Sequence, residues 1–490
     1  MTKRWSATVA VALVTIGMTS LRQCDVSAVA PQSSGPRAEG VFLVEPYLQL
    51  GDPKPHQPTR ELTLVWQTAD HEADWAVEYQ VGSDEPWRSA PKPSYDRIAM
   101  PCVTAHRVYH ARLDLHETQG MAPYRVKRAG QTVFTAEADA PKGADARYRF
   151  VAFGDCGANT ADQKAIAYQT FERHPDFVMI PGDIVYGRGL ISEYLTNFWP
   201  VYNAARADRE VGAPLMRTTP FVAALGNHDV AGRDFAKTPD GLAYYLYWDQ
   251  PRDGARGQGE TPWRTPLMGT EAQTKAFVAS AGVHYPVMAN FSFDYANSHW
   301  TVLDSNSYVD WTKGALRDWV IQDIAAAAKA TWRFVAFHHP GFNSSKAHFD
   351  NQQMRLLADV FEAGKVDIVF AGHVHNYQRS FPMRFIPDRD PGGAVVRKGE
   401  QVLGRWSLDR AYDGQTKTRA SGPIYLVTGA GGNHLYNPEQ QDDPASWQSF
   451  TCKFISRSFS FTQVDVDGRS LIARQVDPGG NELDRFTLSK

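Results

Sequence analysis

Between residues 41 and 140, apolar and polar positions alternate in short runs at 62–68, 75–81, 106–115, 124–127 and 133–136, with Gly, Pro and Asp turns between them. Period-two alternation buries one face of a strand and leaves the other wet, so this segment predicts a sandwich of short strands. Beyond residue 146 the pattern changes. Short, mainly apolar runs at 149–153, 177–180, 221–225, 332–337 and 366–370 read as buried strands. Residues 295–304 and 423–428 add two further strands, and 161–173, 313–329 and 351–363 carry the longer period of helices. Strands alternating with helices predict helices layered on sheets. The change falls at Pro141-Lys142-Gly143-Ala144-Asp145-Ala146, a polar stretch with the Pro and Gly of a boundary.

Two stretches fit neither pattern. Residues 232–286 are rich in aromatics, Pro and Gly, include Tyr244-Tyr245-Leu246-Tyr247-Trp248 and continue through a polar loop at 249–260. They read either as a pocket wall or as an insertion packed into the core or between domains. Residues 385–413 carry many charges and little periodicity.

The chain has 490 residues, 43% of them hydrophobic, which exceeds one typical domain. Its formal net charge of −3 gives no basic excess, so neither nucleic acid nor an anionic membrane surface is indicated as a partner. Lys3 and Arg4, an apolar stretch at 5–21 and Ala28-Val29-Ala30 read as a secretory signal over residues 1–30, followed by a linker at 31–40. The apolar core is too short and too interrupted for a stable span, so the mature chain is expected to be secreted or periplasmic without a membrane anchor. The bulky polar residues before Cys24 argue against lipid attachment there. Cys102, Cys156 and Cys452 imply no disulfide framework.

Chemistry concentrates where apolar runs end. Gly154-Asp155-Cys156-Gly157, Gly182-Asp183-Ile184-Val185-Tyr186, Gly226-Asn227-His228-Asp229, Val335-Ala336-Phe337-His338 and Gly372-His373-Val374-His375 each follow one. Carboxylates, a phenol, an amide and imidazoles form a mixed oxygen and nitrogen shell suited to transition metals. Asp183 has two oxygens with which to bridge two ions, and two ions about 3.5–4 Å apart suit in-line phosphoryl displacement. His373 and His375, two apart in an extended segment, lie on the same side of it. Glycine beside the ligands admits sharp turns and close approach. His338 and His339 compete for one ligand role.

These blocks, in this order, resemble those of the purple acid phosphatases, a branch of the calcineurin-like metallophosphoesterases, and the likeness covers nearly the whole chain after the leader. Residues 46–50 and 64–68 resemble the fibronectin-III-like domain that family carries in this place. The resemblance implies an N-terminal all-β sandwich at 41–142, then an α/β four-layered metallophosphoesterase sandwich with mixed β-sheets at 147–490. It implies Asp155, Asp183, Tyr186 and His375 around a ferric ion, with Asp183, Asn227, His338 and His373 around a divalent ion of Zn, Mn or Fe. His338 takes the ligand role rather than His339.

His228 and His348 match positions that contact the phosphate and protonate the leaving group, with Asp229 a carboxylate to orient the His228 ring. An unperturbed imidazole pKa of about 6.5 suits that work in mild acid. Cys156 then reads as a small buried thiol, and Gly429-Ala430-Gly431-Gly432-Asn433-His434 as a structural turn, since it lacks the lysine and spacing of a P-loop. The expected activity is hydrolysis of small phosphate monoesters by a metal-bound hydroxide, as in acid phosphatases. A phosphodiesterase or nucleotide hydrolase would use the same ligands. A cell-surface binding protein with an incidental metal site is the alternative of another class.

Overall fold

Strand Glu61–Ala69 shows how the N-terminal segment is built. It pairs antiparallel along its whole length with His106–Asp114. Leu62, Leu64 and Trp66 alternate onto one face, where they meet Trp75, Val77, Ala111, Leu113, Tyr124 and Val126 in a core of their own. Trp66 stacks on Tyr109 at 5.3 Å. The opposing sheet holds Trp75–Tyr79, Arg88–Ser89, Met121–Arg128 and Gln131–Asp139. This is the β-rich sandwich that the alternation predicts.

These observations come from a computed structural model that describes residues 40–82, 84–255 and 263–490. The leader expected at 1–30, the linker after it except its last residue, and the 256–260 end of the polar loop lie outside the described residues.

Two mixed sheets carry the rest. In the ten-stranded sheet, Tyr148–Ala152, Phe177–Ile180 and Phe221–Ala223 run parallel, flanked by antiparallel strands Phe461–Asp467, Ser470–Val476 and Glu482–Ser489. The same sheet continues into the N-terminal region, because Val44–Gln49 pairs parallel with Phe221–Ala223 at Gln49 and Phe221. In the seven-stranded sheet, Ser298–Val302, Trp332–Ala336, Ile368–Ala371 and Ile424–Thr428 run parallel.

The apolar runs are buried because successive residues enter different cores. Phe150 and Ala152 face the layer between the sheets, with Phe293, Trp300, Phe334 and Phe370. Val151 and Phe153 face outward beneath helix Ala161–Glu172, whose Thr160 caps its N-terminus by accepting from Gln163 N. On the other sheet, Val335 and Phe337 face outward onto helices Ala315–Ala326 and Ala358–Ala363. The result is the metallophosphoesterase arrangement of mixed sheets face to face with helices on their outer faces.

Residues 244–248 are buried to within 2%. They join Tyr47, Val65, Trp199 and Phe221 in one core, and Tyr47 Oη donates to the Tyr247 carbonyl at 2.8 Å. Of the two readings of this insertion, packing into the core between the β-rich region and the main sheets is the one realised. The charged stretch at 385–413 forms hairpin strands Met383–Pro387 and Gly404–Leu408. Among the described residues no helix is long and apolar enough to cross a membrane. Cys452 is a free thiol donating to the Arg379 carbonyl, so it does not pair with Cys102.

Candidate metal centre

Every candidate ligand lies just beyond the C-terminal end of a parallel strand. Asp155 follows Tyr148–Ala152, Asp183 and Tyr186 follow Phe177–Ile180, and Asn227 follows Phe221–Ala223. His338 follows Trp332–Ala336, and His373 and His375 follow Ile368–Ala371. Asp155, Asp183 and His373 have left-handed backbones, with φ of 59°, 52° and 68°, conformations that side-chain-bearing residues rarely hold outside functional turns. A Cβ on Gly226 would lie 2.1 Å from Asp183 Oδ1, and one on Gly372 would lie 2.6 Å from Asp155 Oδ2. Glycine there is a steric requirement of the carboxylates.

Hydrogen bonds fix the imidazole tautomers. His338 Nδ1 donates to the Pro181 carbonyl at 2.9 Å and His375 Nδ1 to the His434 carbonyl at 2.6 Å. Carbonyls only accept, so Nδ1 carries a proton in each ring and Nε2 is the nitrogen turned to the site. His338 Nε2 then faces Asn227 Oδ1 at 3.0 Å and Asp183 Oδ1 at 3.3 Å. His375 Nε2 faces Tyr186 Oη at 2.9 Å and Asp155 Oδ1 at 3.4 Å, and Tyr186 Oη is 3.0 Å from Asp155 Oδ1. His373 donates its main-chain N–H to both Asp155 oxygens, and its Nε2 to Asn351 Oδ1 at 3.1 Å, leaving Nδ1 as its ligand atom. Acceptors converging in a buried place need a cation among them.

Electrostatics point the same way. Burial works against a charged His338, but Asp183 and Asp155 outweigh it and raise its pKa to about 9. Burial also opposes ionisation of Asp183, yet His338 holds that carboxyl below its usual range. Burial and Asp155 push the Tyr186 phenol well above its ordinary value. Its ionisation therefore requires compensating positive charge. The donor atoms of Asp155, Asp183 and His338 lie within 4.8 Å of one another. The donor set fits metal ions in both chemistry and spacing.

His339 is buried beside His373, with ring centroids 4.3 Å apart. Ser305 Oγ accepts from the main-chain N–H groups of His338 and His339 and gives its own proton to His339 Nδ1 at 2.9 Å. That leaves His339 with Nε2–H, a donor rather than a ligand. Cys156 is buried, its thiol pushed up by desolvation and bonded to the Ile184 carbonyl.

His228 lies against the Tyr186 ring at 4.5 Å and donates Nδ1–H to the Gly187 carbonyl at 2.7 Å, which leaves Nε2 facing Asp183 Oδ2 at 3.9 Å. Asp229 does not orient it, contrary to the expectation. Its carboxylate turns inward and accepts from Ile184 N at 3.0 Å and Gly226 N at 2.8 Å, because those N–H groups are buried and need acceptors. Burial and neighbouring Asp183 raise the Asp229 pKa to about 7. His348 is surface-exposed overall, its ring 4.1 Å from that of His373 and 5.5 Å from that of Tyr436.

Sequence reasoning missed Ser305, Asn351 and Tyr436. Tyr436 stacks on His375 at 4.1 Å, almost parallel. Ser305 and Tyr436 come from loops remote in the chain and carry no local spacing signal; Asn351, in the His348 loop, was the one within reach. The glycine-rich turn supports Asp155: Gly431 N donates to the Gly154 carbonyl and Asn433 N to the Asp155 carbonyl.

Five strand-end loops on two facing sheets, presenting acceptors around one point, define a metallophosphoesterase. The model of the calcineurin-like phosphoesterase family matches residues 148–377. Purple acid phosphatase 18 of Arabidopsis thaliana is 22% identical over 278 residues, 56% of this chain and 47% of that protein. The chain thus spans about half the length of that relative. A phosphoenolpyruvate phosphatase of Allium cepa is 26% identical over 416 residues, 79% of this chain and 74% of that one. A purple acid phosphatase from yellow lupin (Lupinus luteus) seeds shares the fold, with a TM-score of 0.58 at 17% identity over 91% of this chain and 74% of the other. Residues 148–377 thus carry a calcineurin-like phosphoesterase domain, and the purple acid phosphatases are among the proteins to which the chain is similar.

Proposed function

We propose that this protein hydrolyses small phosphate monoesters as an acid phosphatase, using a ferric ion held by Asp155, Asp183, Tyr186 and His375 and a divalent ion held by Asp183, Asn227, His338 and His373. The observation that carries this reading is the meeting of His338 Nε2, Asn227 Oδ1 and Asp183 Oδ1 within 3.3 Å, where a metal ion would take the place of the proton that the carboxylates otherwise hold on the imidazole. Once bound, the two ions would supply Lewis acidity for the phosphoryl oxygens in an in-line displacement.

The chain's own residues do the rest. Gly187 holds the His228 ring so that Nε2 is available to a phosphoryl oxygen or a departing alkoxide. His348 would share that proton transfer, a reading supported by its ring lying 4.1 Å from that of His373. Asp229 fixes the turns that carry Asp183 and Asn227. The composition of residues 1–30 supports a secreted or periplasmic location, and residues 41–142 are read as a fibronectin-III-like domain.

The test is hydrolysis of an aryl phosphate monoester and the matching diester on one metal-loaded preparation. A strong monoester preference is the expected result. Preference for the diester would replace the reading by a phosphodiesterase, and turnover of neither by a binding protein.

A further inference from the structure

A second cluster lies at the opposite end of the seven-stranded sheet from the ligand loops. His299 is the second residue of strand Ser298–Val302, Asp294 is its cross-strand neighbour, Asp323 is on helix Ala315–Ala326, and His56 is in the loop between Val44–Gln49 and Glu61–Ala69. His299 Nδ1 lies 3.2 Å from Asp294 Oδ1 and Nε2 lies 3.1 Å from Asp323 Oδ2. Thr301 Oγ1 donates to the same Asp323 oxygen at 2.8 Å. The His56 ring stacks on His299 at 5.3 Å, with its Nε2 3.8 Å from Asp323 Oδ1.

Two carboxyl oxygens here are unaccounted for. Asp323 Oδ1 and Asp294 Oδ2 are buried and accept no hydrogen bond. The Asp323 side chain is only 1% exposed, and its free oxygen is directed at His56, which is 36% exposed. Buried acceptors left without donors are costly, and one imidazolium does not balance two carboxylates.

We propose that His56, His299 and Asp323 form a structural binding site for a divalent cation of the zinc type, separate from the catalytic centre. His299 Nε2, His56 Nε2 and an Asp323 oxygen would be the protein ligands, with water completing the shell on the side where His56 is open. Their donor atoms all lie within 4.8 Å of one another. His299 Nε2 lies 3.1 Å from Asp323 Oδ2 and His56 Nε2 3.8 Å from Asp323 Oδ1, so the two imidazoles flank the carboxylate at separations near the roughly 3.4 Å ligand-to-ligand edge that zinc bonds of about 2.0–2.2 Å give in a tetrahedron.

Binding exchanges one proton for the ion. His299 Nε2 releases its proton to solvent, while Nδ1–H stays on Asp294 in the carboxylate–histidine–metal relay that fixes ligand orientation. The dipositive ion then balances both carboxylates. The site would pin the loop carrying His56, in the N-terminal β-rich region, to the second sheet.

The test compares the full-length protein with His56→Ala, both loaded with zinc and desalted. His56 is surface-accessible and outside the catalytic centre, so the variant should fold and keep its aryl phosphatase activity. Metal analysis should show about one equivalent of zinc lost, and the zinc-dependent rise in unfolding temperature should shrink. An Asp183→Asn background, which weakens the catalytic centre, should still lose that equivalent when His56→Ala is added. Equal zinc content with and without His56, in either background, would overturn the proposal and leave His299 satisfied by its proton alone.

Discussion

Gly226 has no space for a methyl group, since a Cβ would fall 2.1 Å from Asp183 Oδ1 and equally close to its backbone. Gly226→Ala should displace the Asp183 carboxylate, and a misplacement of about 1 Å costs on the order of 100-fold in rate. The expected result is that loss in kcat together with a lower metal content; full activity with full metal would contradict the geometry. Tyr186 lies within 3.0 Å of both Asp155 and His375, and burial with Asp155 resists its ionisation. If a ferric ion compensates, Tyr186→Phe should abolish visible absorption in the iron-loaded protein while the fold persists. An unchanged spectrum would remove Tyr186 from the ligand set. Residue types and spacing made the donors legible in the sequence. Asp229 was misread because adjacency to His228 says nothing of direction: the buried N–H groups of Ile184 and Gly226 claimed it instead.

At the scale of elements, strand His106–Asp114 meets the inserted segment through a buried network. His110 lies 3.2 Å from Asp96 and 3.6 Å from Asp249, and His284 and Arg252 approach Asp249 at 3.7 and 3.6 Å. Burial disfavours the charged imidazole, but Asp249 and Asp96 raise the His110 pKa to about 9. Against an unfolded value of about 6.5, that stabilisation is complete below 6.5 and is lost as the pH rises through 9. Burial also opposes ionisation of Asp249, yet the histidines hold its carboxyl below the usual range, so its share is lost only in strong acid. His110→Gln should therefore lower the unfolding temperature by a few degrees near pH 5.5, with the difference closing by pH 10; thermal scans across that range decide it.

Short apolar runs bounded by turn residues were readable, as at 177–180, where the expected and observed strands coincide. The run 295–304 was not one strand but the hairpin Phe291–Tyr295 and Ser298–Val302, with the turn at Ala296-Asn297 near the start of that run. Helix 351–363 splits into Gln353–Leu357, a tighter 3-10 turn, and Ala358–Ala363. Periodicity alone does not separate those states.

For the whole molecule, local pattern separated the β-rich region from the rest but could not show that they share a sheet. Strand pairing between Gln49 and Phe221, and a core joining Tyr47 and Val65 to Ile180 and Tyr247, are non-local. A chain reduced to residues 147–490 would expose the edge of Phe221–Ala223 and the apolar surface that these residues cover. It should aggregate or lack a cooperative melt, whereas a soluble, cooperatively unfolding fragment would show the two parts to be energetically independent.

The proposed ligands are divided between the two facing sheets: Asp155, Asp183, Tyr186 and Asn227 on one, His338, His373 and His375 on the other. Metal bound among them is thus also a rivet across the sandwich. Stripping it by a chelator would remove ligand-linked stability from the native state and leave unpaired acceptors confronting each other across the seam. The apoprotein should melt at lower temperature and exchange its strand-end amides faster in both sheets at once, so loss of catalysis and loosening of the architecture would be one event.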